Sequence, residues 1–423
     1  MKAAVAWLLL LVPALQFFLT ALAEAAQDRA TAPDVGGGNK LRLVHVAALF
    51  RHGERASATT FPGDPNQHYV WPMGRGQLTK RGRQTMWALG KWLRARYAHF
   101  LTSDVLEVSA RSSPLPRCFD SMAILLYGLY PAVDKGRQWK RGQDWQPVAI
   151  TSPPEGTDKY ATTCLPRFLD AMKALYATEA PCSWVGEPSA RQTSSPSKNY
   201  PETAAQRCFA TAGNLINFVA NAANVTDEAG VARYAATSTI VNDLFVNHEN
   251  GLPLPDWGTK YIRQLSWLND KIVEFMGRYQ KDNMAGALLR DFVASMKRGH
   301  AGGDVKAAQA KDDASVEPKL TLYSYQDITI AGAILGINGT LSGRPPYGSA
   351  IILEVFARSD ASGPAGGKYV RILYKMDDKG VTSIPVEGCT DPCPLQKFEE
   401  VLQRKFKPVT REQCGWSEHQ PLV

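Results

Sequence analysis

The chain has 423 residues, 44% of them hydrophobic and 21% charged, with a formal net charge of +8. This globular composition excludes an intrinsically disordered chain and suffices for one large domain, or for two with a shared core. Lysine and arginine are scattered, with only short clusters such as the one at 75–83, so the excess charge reads as a solvated basic surface and no nucleic-acid partner is expected.

Residues 1–23 have the pattern of a secretory signal: Lys2 ahead of an apolar stretch, then Ala21-Leu22-Ala23 as a small-x-small site with cleavage before Glu24. Residues 24–40 carry no core-forming side chains and read as a flexible lead-in. No later segment reaches the roughly 20 apolar residues that span a bilayer, so no stable membrane anchor is expected. The expected location is extracellular or a lysosome-like lumen. Seven cysteines fit an oxidising compartment, and their odd number leaves one free. Cys389 and Cys393 have no second Cys/His pair to complete a metal site, so a short-loop disulfide is expected there. Asn224 and Asn338 head glycosylation sequons.

The nearly continuous apolar run 41–50 predicts a strand buried on both faces. Residues 78–100 predict a helix, with Thr79 as N-cap and Met86, Leu89, Trp92 or Leu93, and Tyr97 at helical spacing. A second strand is expected over 105–110 and a second helix over 118–131, which is the alternation of right-handed βαβ units. From about 160 to 300 the pattern turns mainly helical. Strands return at 319–325, followed by Gln326-Asp327 and an apolar helix, and 349–358 pairs with 368–376 as a hairpin. The expected fold is α/β: a mostly parallel sheet with flanking helices and a smaller, mainly helical inserted domain. Its boundaries are 41–159 and 319–423 for the sheet domain and 160–318 for the insert.

Ligands of open parallel sheets bind beyond the C-terminal ends of strands. Three predicted strands end in polar groups: Arg51-His52-Gly53-Glu54-Arg55, the segment reaching Arg117 just before a helix, and Gln326-Asp327. If those strands are neighbours, three arginines, a histidine and an aspartate converge. Guanidinium forks match phosphate oxygens and the charge that develops on them. A neutral imidazole among arginines is a nucleophile, because nearby positive charge disfavours its protonation. Gly53 lets the backbone turn and a ligand approach. Asp327 supplies a proton to a leaving oxygen. Taken singly, Arg117 is an ordinary helix-end charge and Asp327 an ordinary N-cap. No metal or other cofactor is called for. The partner implied is a small phosphorylated molecule, and a homodimer is left open.

The segment "LFRHGERAS" resembles the nucleophile motif of the histidine acid phosphatases, the branch-two histidine phosphatases, including their arthropod, prostatic and lysosomal members. "WPMGRGQLTKRGRQTMWALGKWLRARY", "RSSPLPR", "LPLPDW", "PPYGSAIILEVF" and "GCTDPCPLQKF" extend the likeness over most of residues 41–415. The resemblance implies that His52 becomes a phosphohistidine, that Arg51, Arg55 and Arg117 hold the phosphate, and that Asp327 is the proton donor. It also implies a Cys164–Cys414 bridge. Cys182–Cys208 is then left as a loop clip, and Cys118 stays free. Val246 and Ala350 stand where the family has another bridge. Ser57 replaces a common proline, and Pro114 and Pro116 replace common acidic residues. Gln326 replaces the histidine of the family's His-Asp motif and is expected to offer the phosphate an amide N–H. The implied function is a secreted acid phosphatase. The alternative is a binding protein or weakly active pseudoenzyme for phosphorylated ligands, because of Gln326.

Overall fold

The computed structural model describes residues 41–181, 209–225, 230–298, 318–358, 367–376 and 380–416. The expected signal, the lead-in and the cysteines of the Cys182–Cys208 clip lie outside the described residues.

The first strand, β1 (Leu41–Arg51), is followed by α1 (Lys80–Arg96), β2 (Val108–Ser112), α2 (Pro116–Leu129) and the two-residue β3 (Ile150–Thr151). Then come α3 (Leu165–Tyr176), α4 (Ala212–Ala222), α5 (Gly230–Glu249), α6 (Asp256–Lys260), α7 (Ile262–Gln280) and α8 (Ala285–Arg298). The chain returns through β4 (Leu320–Tyr325), α9 (Asp327–Asn338), β5 (Ala350–Arg358), β6 (Lys368–Lys375), β7 (Val381–Ser383), β8 (Cys393–Pro394), α10 (Leu395–Lys405) and α11 (Arg411–Cys414).

The sheet order is β3-β2-β4-β1-β5-β6-β7, with β8 beside β6. Its parallel character is confined to β3, β2, β4 and β1; from β5 onward every pairing is antiparallel. The long apolar run of β1 is explained by its central place. Val46, Ala48 and Phe50 face one layer with Met86 and Leu93 of α1 and Met122 and Leu125 of α2. Ala47 and Leu49 face the other with Phe292 of α8, Ile330 and Ile334 of α9 and Phe398 of α10. Alternate side chains of a strand point to opposite faces, so a strand covered on both sides must be apolar throughout.

A separate apolar cluster joins α3, α4, α5 and α7 through Leu175, Leu215, Val241, Leu244, Leu265 and Leu268. The last helix of the expected insert, α8, instead covers the sheet. Thr79 caps α1 by accepting from Gly82 N. The stretch expected as a strand from 105 begins as a single 3-10 turn at Val105–Glu107, because Asp104 accepts from Leu106 N and caps it. A Cys164–Cys414 disulfide ties the start of α3 to the end of α11, and Cys389 bonds Cys393. Cys118 is free and buried. Among the described residues, no helix is long and apolar enough to cross a membrane.

Candidate active site

β4 lies between β2 and β1, with Arg51 paired to Tyr325 and Ser112 to Ser324, so the three polar strand ends are side by side. The turn after β1 remains tied to its neighbours: His52 N donates to Tyr325 O at 3.1 Å and Gly53 N to Ser121 Oγ of α2 at 3.0 Å. The expectation that Gly53 makes room for a ligand is corrected. A Cβ there would stand 2.5 Å from the carbonyl oxygen of Gly82, so it is α1 that occupies the space. A Cβ on Gly82 would in turn meet Glu54 O. Glu54 is spent on Thr79 and Arg81, which fastens the same turn to α1.

His52 is buried. Its Nδ1 lies 2.8 Å from Gly53 O and its Nε2 lies 3.2 Å from Arg117 Nε. A carbonyl only accepts and a guanidinium only donates, so these partners assign the proton to Nδ1 and the lone pair to Nε2. Burial, then Arg51 and Arg117, hold the imidazole pKa well below its usual value. The ring is therefore neutral at acidic pH, with its bare nitrogen among positive charges.

Arg51 is also buried. It donates Nη1 to Pro345 O at 2.6 Å, lies 3.1 Å through Nη2 from Asp327 Oδ2, and stacks 3.8 Å over the Tyr347 ring. Its Nε is buried without a partner. Burial and the neighbouring Arg344 lower its pKa to about 10. Arg55 pairs with Asp243 Oδ1 of α5 at 3.1 Å, and the other oxygen of Asp243 accepts from Ala58 N and Thr59 N. Ser57 bonds Asn247 Oδ1 at 2.6 Å on the same helix. The helical cluster thus holds the loop that carries Arg55. Arg117 stands inside α2, after Pro116 at its start, and not ahead of the helix as expected. A proline tolerates that first position because its missing N–H is unneeded there.

Gln326 is the N-cap of α9 and Asp327 its first residue, where the helix dipole favours an anion. Asp327 Oδ1 accepts from Ile328 N at 2.8 Å. Its Oδ2 is met by Arg344 through Nε at 2.7 Å and Nη2 at 2.6 Å, in addition to Arg51. Burial disfavours the ionised form, but Arg344 and Arg51 outweigh it and hold the carboxyl well below the usual carboxylate range. Asp327 is a carboxylate in this arrangement, not the protonated acid that the sequence suggests. The Gln326 amide nitrogen, expected on the phosphate, donates instead to Ser113 Oγ at 3.1 Å and to Cys118 Sγ at 3.6 Å. Ser113 lies in the β2–α2 connection and Cys118 in the first turn of α2, both beside the end of β4. Burial pushes the Cys118 thiol up to about 12.

Three residues of the site escape a reading of the sequence alone: Arg344, Asp243 and Tyr347. The signal for Asp243 is an acid inside an apolar helical run. Arg344 sits in a Gly/Pro loop that looks unremarkable. Its backbone N is fixed by Asp270 Oδ1 of α7 at 3.2 Å.

A model of the histidine phosphatase superfamily (branch 2) matches residues 42–375, and the chain belongs to that family. It is 27% identical to human lysosomal acid phosphatase over 377 residues, covering 88% of this chain and 80% of the relative. It is 25% identical to bovine prostatic acid phosphatase over 406 residues, covering 92% of each. Among solved structures, the apo phytase of Hafnia alvei superposes with a TM-score of 0.57 at 18% identity, covering 91% of this chain and 99% of the phytase. That likeness concerns the fold.

Proposed function

We propose that this branch-two histidine phosphatase is an acid phosphatase that hydrolyses small phosphate monoesters through a phosphohistidine on His52. The observation that carries the reading is the state of His52: neutral, its Nδ1–H held by Gly53 O, its Nε2 turned to Arg117. In the first step Nε2 bonds to phosphorus and the ester P–O bond breaks, its electron pair leaving with the alcohol oxygen. Asp327, ionised in the resting site, first takes up a proton from acidic solvent and then gives it to that oxygen. In the second step water attacks the phosphohistidine, Asp327 takes the proton from the water, and His52 and inorganic phosphate are restored. Arg51, Arg55 and Arg117 bind the phosphoryl oxygens, and the unpartnered Nε–H of Arg51 supports that role. The partners are expected to be small phosphorylated molecules, in the extracellular space or a lysosome-like lumen. The names of the lysosomal and prostatic relatives and the Cys164–Cys414 disulfide favour such a compartment. Asn224 and Asn338 are exposed, which suits both sequons to glycosylation.

The test is turnover of 4-nitrophenyl phosphate from pH 4 to 7 by wild type and His52→Ala, with acid-labile and base-stable label sought on the quenched enzyme. Activity and label in wild type alone support the mechanism. A second reading, a phosphate-ester binder with poor turnover, is favoured by the ionised Asp327 and by Gln326 being spent on Ser113 and Cys118. Tight binding of 4-nitrophenyl phosphate without hydrolysis would select it.

A further inference from the structure

The phosphatase reading leaves Arg344 without a task. It is not at a strand end, and among the described residues it makes no hydrogen bond or ion pair with His52. Two of its N–H groups converge on Oδ2 of Asp327, the oxygen that Arg51 also meets, while Oδ1 is taken by the backbone of Ile328. Oδ2 therefore faces guanidinium donors on every side, and Oδ1 gives one of its lone pairs to a backbone N–H. A carboxyl proton on Oδ2 requires that a guanidinium withdraw.

We propose that Arg344 is a latch on Asp327 that the substrate must draw away, so that the site selects phosphate monoesters whose leaving alcohol bears a second anionic group. This rests on the phosphatase reading. Of the two guanidiniums on Oδ2, Arg51 is the buried one, at 3% side-chain exposure, and it has the phosphoryl group as its natural second partner. Arg344 is 16% exposed and comes from the α9–β5 loop. Its backbone is pinned to Asp270, so the side chain can swing while the loop stays.

The direction of the swing follows from chemistry. The alcohol to be protonated lies against Asp327, and hence against Arg344. A neutral alcohol offers the guanidinium nothing in exchange for a buried carboxylate, whereas a carboxylate or phosphate on that alcohol offers an equivalent partner. Once Arg344 has turned to it and Arg51 to the phosphoryl oxygens, the two charges that outweigh burial are engaged elsewhere, and burial favours the protonated form of Asp327 against the remaining backbone bond from Ile328 N. Solvent at acidic pH supplies the proton that then passes to the leaving oxygen.

The groups that bear on this equilibrium come from several elements. Arg51 faces Asp327 from the end of β1, His52 from the turn after it, and Arg117 from α2. Tyr347 and Glu249 bear on Arg344 from the α9–β5 loop and from α5, and Asp270 does so from α7. Of the four guanidiniums, Arg51 and Arg344 are ion-paired to Asp327 and Arg55 to Asp243, while Arg117 faces the neutral His52 ring. A monoester dianion binds among these guanidiniums, and freeing Arg344 for a third negative charge is possible only as Asp327 takes up its proton.

The experiment compares kcat/KM for 3-phosphoglycerate and glycerol 3-phosphate, which share a three-carbon skeleton and differ by one carboxylate. 4-Nitrophenyl phosphate, whose leaving group needs little protonation, reports whether the enzyme turns over at all. Wild type is expected to prefer 3-phosphoglycerate by about tenfold or more. Arg344→Met should bring the ratio near one, raise turnover of glycerol 3-phosphate more than that of 4-nitrophenyl phosphate, and move the alkaline limb of its pH profile upward. Arg344→Lys, which keeps the charge, should keep most of the preference and guards against a misfolded methionine variant. If wild type hydrolyses 4-nitrophenyl phosphate but shows no preference, or if Arg344→Met retains it with an unmoved pH limb, the latch is overturned and the phosphatase reading stands. If no monoester is hydrolysed, the phosphatase reading fails and the latch fails with it.

Discussion

Arg117 Nε points at His52 Nε2 across 3.2 Å, so the nitrogen expected to attack phosphorus already accepts a guanidinium N–H. A phosphoryl group that enters must take Arg117 as its own partner and thereby uncover the lone pair. Binding and activation of the nucleophile are one event. Arg117→Ala should raise KM and also lower kcat, by roughly a hundredfold in kcat/KM, about the worth of one charge-assisted phosphate contact made in the transition state. Steady-state kinetics with 4-nitrophenyl phosphate, with folding checked by thermal melting, decide this. A change in KM alone would reduce Arg117 to uniform binding.

The pH dependence of the first step follows from His52. Its folded pKa is depressed, so the imidazole stays neutral through the range where an ordinary histidine gains a proton. An NMR titration of the wild-type protein should show no His52 imidazole ionisation near pH 6.5. The same shift acts on stability. The unfolded chain binds the proton and the folded one does not, so His52 lowers stability as pH falls below about 6.5. His52→Ala should narrow the gap in Tm between pH 7 and pH 5 relative to wild type.

Asp327 contributes in a lower window. Its folded pKa is depressed, so the stability from its pairs with Arg51 and Arg344 is fully present above the unfolded value of about 3.9 and is lost as pH falls toward the folded one. Asp327→Asn should be destabilised at pH 5–7, with the deficit shrinking below pH 4. Differential scanning calorimetry across pH 2.5–7 tests it, and a deficit constant with pH would mean that the carboxylate is not ionised in the fold.

Gln326 is tied to the β2–α2 connection, and its replacement should be felt there and at the phosphate. Gln326→His puts a titrating donor at the N-terminus of α9. It should raise phosphatase activity by about tenfold, the worth of adding charge to one hydrogen bond, and give the pH profile a further limb. It should also release Cys118, a buried thiol whose pKa burial pushes up to about 12, so that alkylation becomes faster than in wild type. Iodoacetamide labelling before and after the substitution reports this second effect, and equal labelling would show that Gln326 does not shield the thiol.

Much of the fold and part of the site can be read in the sequence. The unbroken apolar run 41–50 predicts a central strand, and β1 is central. Residues 285–298 predict a helix, and α8 has those bounds. The polar strand ends can be read because each lies next to the apolar segment that positions it. Arg344 cannot be read in this way. It reaches Asp327 across the whole of α9, and its loop is held by Asp270 from a helix of the distant middle segment. The direction of the Gln326 amide depends on Ser113 and Cys118, which are brought alongside only when β4 pairs with β2. Local pattern fixes elements; the protonation state of Asp327 is a property of contacts made between them.

Asp243 extends that lesson to the helical segment. Asp243→Asn should loosen Arg55 and the 55–59 loop together and raise KM by roughly tenfold with a smaller change in kcat, since one charged bond per partner is weakened. A fall in kcat alone would place Asp243 in the chemistry instead.

The position of β4 has a consequence for the life of the chain before it is complete. β1 and β2 are made early, yet they do not touch; the slot between them is filled only by residues 320–325. Until then the newly made polypeptide holds the apolar β1 and the short β2 with open edges facing a gap, and Arg51 and His52 have no Asp327 beside them. A ribosome that has delivered three-quarters of this protein has delivered none of its chemistry. The unfinished product is inert toward the phosphate esters around it, but adhesive toward other unfinished copies.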